Sequence, residues 1–297
     1  MLRNYQEMRA AAQRRGPATV AVAAAQDREV LEAVHAAIRA GLAQAILVGD
    51  EAQIGPLAKE AGLDPKVPVI HEPDMAQASL KAAALVREGQ AQVLMKGLVN
   101  SAVFLKAALD AERGLRTGRL LSHLAAFEVP GRAKLEFLTD GGMNIAPGLE
   151  EKQQILANAL DGLARIGVAE PRVAVLSANE QVSPKLQSSV DAKAIADAWA
   201  GGAFPGCVLE GPIALDVAVS PEAARHKGLS SRISGEVDLY LVPNIDAGNL
   251  LAKGMIYYGG AKMAGVVLGA LRPIVMVSRA DLAEAKLNAI AMAALVA

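Results

Sequence analysis

The sequence predicts an α/β fold, organised as two parallel-sheet, three-layer domains that meet at a cleft. Three observations lead there. Apolar runs of strand length alternate with amphipathic stretches of helical length along most of the chain. That rhythm builds a parallel sheet covered by helices on both faces. Hydrophobic residues make up 53% of the 297 and aromatics only 3%, so the core must be assembled from many small Ala and Val contacts. A chain of this length also supports one large or two medium cores.

ATVAVAAA (18–25) reads as a buried first strand, followed by the helix REVLEAVHAAIRAG. AQAILVGD (43–50) is a second strand ending in a polar turn, before the helix EAQIGPLAKEAGL. VPVIHEP (67–73) is a third, followed by the helix MAQASLKAAALVREG, and AQVLMKG (91–97) is a fourth. Ligands of such sheets sit at the carboxyl ends of the strands, which places Gly49, Asp50, His71, Lys96 and Gly97 on a functional rim. RLLSHLAAFEVPGRAKLEFLTDGGMN (119–144) departs from the rhythm and predicts two strands joined through a Pro-Gly turn. The helix LEEKQQILANALDGLARIG follows, then the strand RVAVLSAN (172–179), the helix SSVDAKAIADAWAGG, and the strands CVLEGPI and VDLYLVPN (237–244). AGNLLAKGMIYYG is helical, and VVLGA, PIVMVSR and the helix DLAEAKLNAIAMAALV close the chain. The first domain is expected over 1–125 plus 266–297 and the second over 126–265, with the last segment returning to complete the first.

Lys and Arg number 30 against 31 Asp and Glu, a net charge of -1. That balance lacks the clustered basic excess of a nucleic-acid footprint, yet it leaves room for a local basic pocket around an anionic ligand. The single cysteine, Cys207, excludes an intrachain disulfide and a multi-thiolate metal site. Beside a Gly-Pro-rich turn it reads as a small buried hydrophobe rather than a nucleophile. The N-terminal segment is charged and has no uninterrupted apolar core of the signal-peptide kind. No stretch approaches the ~18 apolar residues of a membrane span. A soluble, cytoplasmic protein with no nucleic-acid or membrane partner is expected. The motifs H-E-x-x-H, G-x-S-x-G, Walker A and an early G-x-G-x-x-G are missing. Zinc hydrolases, serine hydrolases, P-loop kinases and ordinary Rossmann dehydrogenases therefore leave the front rank.

Four segments carry candidate chemistry. In LVPNIDAGNLLAKG (241–254) a strand runs through Asn244 into a helix starting around Asp246 or Ala247. Such a turn is either a capped loop or an anion site built from backbone N–H groups. Gly248 and Asn249 in the first turn favour the second reading, because glycine costs helix stability there and permits close approach of a ligand. YYGGAKMAG (257–265) places Gly259 and Gly260 in a connector that can lie flat against a nucleotide or pantetheine chain, or serve as a hinge. PIVMVSRADLAEAK (273–286) ends a strand in Ser278 and Arg279, before a helix capped by Asp281 or by Ser278 itself. An arginine on a strand-end rim can hold a tetrahedral phosphate through paired donors; a surface arginine beside a capping serine looks the same. LMKGLVNSAVFLKAAL (94–109) offers Lys96, with Asn100 and Ser101 at a helix start. SHLAAFEV and FLTDGGMNIAP add His123, Asp140 and Asn144 near the expected cleft, although a lone histidine is more often a satisfied core or surface side chain.

Together with GLRTGRLLSHLAAFEVPG, LEGPIALDVAVSPEAARHKG and the segments above, the chain resembles the phosphate acetyl/butyryltransferase family from about residue 15 to its end. MKG-x-V-N-S and LRTGRLLSH look more like the butyryl branch. The resemblance implies an isopropylmalate dehydrogenase-like fold, an active site in the interdomain cleft, and a homodimer or higher homo-oligomer. It also implies no metal and no redox cofactor, with coenzyme A as a substrate. The implied reaction moves a short acyl group, butyryl or similar, between coenzyme A and inorganic phosphate in a ternary complex. Carried over residue by residue, Arg279 would bind the phosphoryl group and Ser278 would donate to the thiol or the carbonyl oxygen. Asn244, Gly248 and Asn249 would shape a neighbouring loop, and Lys96, Asn100 and Ser101 would close over the phosphate. Acetyltransferase relatives place an acid where Ala285 stands here, which leaves Asp281 as the nearest candidate for the thiol base, unless phosphate itself takes the proton. Competing expectations are a phosphate acetyltransferase, a non-catalytic acyl-CoA binder, and an NAD-dependent hydroxy-acid dehydrogenase on the same fold, whose D-x-x-x-D metal aspartates are not found in the second domain.

Overall fold

A computed structural model describes residues 2–276 and 283–297. The chain divides into two compact units. A terminal unit comprises Tyr5–Arg119 with Ala264–Ala297; a central unit comprises Leu120–Met263 with the chain up to Asn4. The terminal unit begins with α1 (Tyr5–Arg15), β1 (Ala18–Ala23), α2 (Arg28–Arg39), β2 (Ala43–Gly49), α3 (Glu51–Glu60), β3 (Val69–His71), α4 (Met75–Arg87), β4 (Val93–Lys96) and α5 (Ser101–Ala108). The central unit contains β5 (Ser122–Glu128), β6 (Glu136–Thr139), α6 (Leu149–Ile166), β7 (Arg172–Leu176), α7 (Gln187–Ala200), β8 (Val208–Ile213), α8 (Leu215–Val219), α9 (Pro221–His226), β9 (Leu239–Leu241) and α10 (Ile245–Tyr257). The chain returns to the terminal unit through β10 (Lys262–Leu268), β11 (Ile274–Val275) and α11 (Ala283–Val296).

In the terminal unit the strands lie in the order β3-β2-β1-β4-β11-β10. They are parallel from β3 to β11, and β10 runs antiparallel to β11. The helices form because their caps and stripes agree. Asp27 caps α2 by accepting from the Val30 amide at 3.2 Å, and Val30, Leu31, Val34 and Ala37 are its buried face. Helix α11 has no polar side over its last turns, where every residue from Ala289 to Val296 is buried, with α1 and α2 packed against it.

The central unit orders its strands β5-β6-β9-β7-β8. The expected hairpin is there, with Ala125 paired antiparallel to Leu138, and the remaining neighbours are parallel. Its core gathers Phe127, Leu138, Ile213, Val217, Val237 and Tyr240. Helix α6 buries Ile155, Leu156, Ala159 and Leu163 on one face and stops at Gly167, whose φ of 100° only glycine adopts without strain. Buried ion pairs in this unit include Lys152 of α6 with Asp191 of α7 at 2.6 Å and Lys134 with Asp238 at 2.6 Å.

Helices α1, α8 and α9 go beyond the sequence reading. Helix α1 buries only Tyr5, Met8 and Ala12, a faint stripe in a strongly charged stretch. Ser220 accepts from the Ala223 amide and Pro221 opens α9, a start signal obscured by the helix's length of six residues. Among the described residues no helix is long and apolar enough to cross a membrane.

Candidate active site

Each unit gathers part of the expected site at the carboxyl ends of its parallel strands. In the terminal unit Lys96 is the last residue of β4, only 8% exposed, with its Nζ 3.4 Å from the Gly97 carbonyl. Asn100 caps α5, its Oδ1 accepting from the Ala102 amide at 2.8 Å, and Ser101 is the helix's exposed first residue. Gly97 is required by packing. A Cβ there would stand 2.3 Å from the Ala24 carbonyl oxygen, because the Gly97 and Leu98 amides donate to Ala23 and Ala24. His71 and Asp50 are occupied in holding α3: the His71 Nδ1 accepts from the Glu51 amide and Asp50 from the Ala52 amide. Gln26, which sequence reasoning missed, is buried at this rim with its Oε1 lacking a hydrogen-bond partner. Gly49 makes room for it, since a Cβ there would come within 2.3 Å of that oxygen.

Strand β11 pairs in parallel with β4, Val275 opposite Met95, so the described chain reaches Met276 level with Lys96. Ser278, Arg279 and Asp281, the expected catalytic residues, lie outside the described residues.

In the central unit the loops after the parallel neighbours β6 and β9 lie together. Asp140, buried at the end of β6, accepts from the Gly142 and Met143 amides at 2.8 and 2.9 Å and from Asn144 Nδ2 at 2.6 Å. Asn144 in turn donates to the Leu121 carbonyl at 2.8 Å. With three N–H donors on it, this carboxylate organises the loop that follows β6. His123 belongs to the same cluster, its ring 3.4 Å from where a Gly142 Cβ would be. Asn244 caps α10, its Oδ1 accepting from the Ala247 amide at 2.9 Å, so the helix opens at Ile245, ahead of the expected start around Asp246 or Ala247. Gly248 sits against Gly141: a Cβ on Gly248 would lie 2.7 Å from the Gly141 Cα and from the Val242 side chain. The close approach that this glycine permits is therefore to the chain's own backbone, and Gly141 is the partner the sequence did not reveal. Asn249 is exposed, with its Nδ2 3.5 Å from the Gly141 carbonyl.

The structure thus brings Asn244, Gly248 and Asn249 together with Asp140, Asn144 and His123, and groups Lys96 with Asn100 and Ser101. It does not bring Gly259 and Gly260 to the same place. They follow the C-terminus of α10, whose 13 residues span ~20 Å from the Asn244 cap. Gly248→Ala forces the Asp140–Asn144 loop off the helix and is expected to lower stability by about 1–3 kcal/mol, read by urea unfolding. An unchanged midpoint would mean the loop moves freely.

Cys207 is buried, and its thiol donates to the Phe204 carbonyl at 3.3 Å. Burial, with a smaller contribution from Glu170, pushes the thiol up to about 11, so it holds almost no thiolate at neutral pH and is a poor nucleophile. Among the described residues, no three His, Cys, Asp or Glu side chains converge as a metal-ligand set.

Comparison with known proteins follows the same lines. The sequence matches the family described as "Phosphate acetyl/butaryl transferase" over residues 5–79 and 68–294. It is 43% identical to a phosphate butyryltransferase of Clostridium acetobutylicum, across 100% of this chain and 99% of that one. The fold superposes on a branched-chain phosphotransacylase from Enterococcus faecalis V583 with a TM-score of 0.83 at 34% identity, covering 94% and 99% of the two chains. A 4-hydroxythreonine-4-phosphate dehydrogenase from Klebsiella pneumoniae shares the fold alone, with a TM-score of 0.60 at 14% identity over 94% and 99% of the chains. This is the dehydrogenase-like architecture expected above.

Proposed function

The chain belongs to the phosphate acetyl/butyryl transferase family, and from that premise we propose that it moves a butyryl or similarly short acyl group between coenzyme A and inorganic phosphate. The observation that carries this reading is the end-to-end 43% identity to a phosphate butyryltransferase. Polar groups at the strand ends of each unit support it, because a phosphate is best held by helix starts and cationic side chains.

In the direction of acyl-CoA formation, the sulfur of coenzyme A attacks the carbonyl carbon of the acyl phosphate. A C–S bond forms and the C–O bond to the phosphoryl group breaks, while the thiol proton leaves to a base. A free thiol titrates near 8.5, so a base within reach helps. We assign the phosphoryl group to Arg279 and the hydrogen bond to the thiol or carbonyl oxygen to Ser278. Lys96, Asn100 and Ser101 are assigned to phosphate binding on the terminal unit's rim, and Asn244, Gly248 and Asn249 to shaping substrate binding on the central unit's rim. Asp281 is the proposed base; an unchanged rate and pH profile in Asp281→Asn would hand that role to the phosphate. No cofactor enters this scheme, and holding both substrates in line supplies much of the remaining barrier reduction.

A homodimer, resting on the family resemblance, and a cytoplasmic location, resting on the lone cysteine and the charged N-terminal segment, complete the proposal; a solution mass of one chain would overturn the dimer. Chain-length preference is read by assaying acyl-CoA substrates of two to six carbons with phosphate. Each methylene in an apolar pocket is worth about 1–3 kcal/mol, so kcat/KM for butyryl-CoA is expected to exceed that for acetyl-CoA by tenfold or more. Equal values would assign the chain to acetyl transfer.

A further inference from the structure

A second polar concavity lies in the central unit, away from the strand-end rim. A cavity of about 360 Å3 is bordered by Arg3, Glu128, Gly131, Arg132, Gly260 and Lys262 among its lining residues. Glu128 ends β5, which runs antiparallel to β6, and Arg132 precedes β6 by four residues. Both stand at the amino ends of the parallel strands. Asp140 and Asn244 follow the carboxyl ends of β6 and β9, at the opposite edge of the sheet.

The charge of the lining is one-sided, three cations against one carboxylate. Arg132 is held in place from behind. Its Nε donates to Glu136 Oε1 at 2.5 Å, and the other oxygen of Glu136 accepts from the Tyr240 hydroxyl at 3.3 Å. Glu136 is 4% and Tyr240 2% exposed. Burial, then the Glu136 carboxylate, pushes the Tyr240 phenol above its ordinary range, so it remains a donor. Burying a carboxylate costs free energy unless it is paired and hydrogen-bonded, and here one oxygen holds the guanidinium while the other is held by the tyrosine. A guanidinium has five N–H donors in a rigid fork, so this pairing leaves others for a ligand at the cavity. Gly131 and Gly260 both adopt the left-handed backbone, φ 80° and 68°, and keep two corners of the lining free of side chains.

We propose that this cavity is a phosphate-recognising site separate from the catalytic rim, taking a small molecule with a phosphate monoester or diphosphate group of at least two negative charges. A preoriented arginine with two further cations is the arrangement that suits such a group. The volume stands at the low end of small-molecule pockets, which run about 300–1,000 Å3, enough for a phosphorylated metabolite but not for a whole dinucleotide. The site is independent of the acyl-transfer reading and survives its failure.

The test is calorimetric titration of the full chain with inorganic pyrophosphate, alone and with saturating coenzyme A. It is repeated on the double variant Arg3→Ala, Lys262→Ala, whose exposed positions leave the buried Glu136 paired. The expected result is one saturable site per chain that persists in coenzyme A and is weakened at least tenfold in the variant, with basal thiol release from butyryl-CoA unchanged. Three results would overturn the proposal: no saturable binding, binding displaced by coenzyme A, or equal affinity in the variant.

Discussion

Arg279→Ala is expected to lower kcat/KM for phosphate-dependent thiol release from butyryl-CoA by about 100-fold or more. A charge-assisted hydrogen bond is worth about 1.5–3 kcal/mol, and a donor preorganised for a developing oxyanion carries 10²–10³-fold in rate on mutagenesis of known enzymes, roughly 3–4 kcal/mol. With the guanidinium on the phosphate as proposed, two parallel N–H donors would hold two of its oxygens and keep the attacking oxygen in line with the thioester carbonyl as the C–O bond forms and the C–S bond breaks. The loss should therefore appear in kcat as well as in the KM for phosphate. Arg279→Lys restores charge without the planar fork and is expected to recover only part of the rate. A loss under tenfold, about 1.4 kcal/mol, would remove Arg279 from the chemistry while leaving the fold untouched.

Lys152→Ala has the largest expected effect on stability. Lys152 and Asp191 meet at 2.6 Å with side chains 7% exposed each, and Gln187 donates to the other Asp191 oxygen at 2.8 Å. Removing the lysine leaves a buried carboxylate with only that amide, which costs about 3–5 kcal/mol for pairs of this kind. For a unit of this size that corresponds to a fall in Tm on the order of 10 °C. Replacing both partners, Lys152→Met with Asp191→Leu, is expected to recover most of the loss, since an apolar pair of similar volume is often neutral or stabilising. If Lys152→Ala unfolds within about 1 kcal/mol of the parent, the pair is not holding α6 to α7. Neither residue is on a strand-end rim, so activity well below the transition should be unaffected.

What could be read from the residues follows the range of the interactions. Strands β1, β2 and β4 announce themselves because their apolar runs are local and continuous. The cap Asn100 is legible for the same reason, bonding an amide two residues away, whereas Asn244 caps a helix whose expected start lies further on. The hairpin of β5 and β6 is marked by its own Pro-Gly turn. The pairing of Gly248 with Gly141 was not legible, because it depends on β6 and β9 becoming neighbours across a hundred residues of chain. Arg3, Arg132 and Lys262 converge only in the fold, and nothing in their local sequence distinguishes them from surface cations. Gly97 and Gly49, suggestive of ligand contact from their place on the rim, answer instead to a carbonyl and a glutamine of β1's following turn. A glycine at a strand end signals close approach without saying to what.

Acyl transfer to phosphate has a stoichiometry that no neighbouring chemistry shares, and it can be followed in one vessel. With butyryl-CoA as donor, free thiol and butyryl phosphate are measured together as phosphate is added. The account predicts that the two products rise in equal amounts and that neither appears without phosphate. Thiol released without phosphate, as in hydrolysis, or no thiol at all despite saturable binding of coenzyme A, would contradict it.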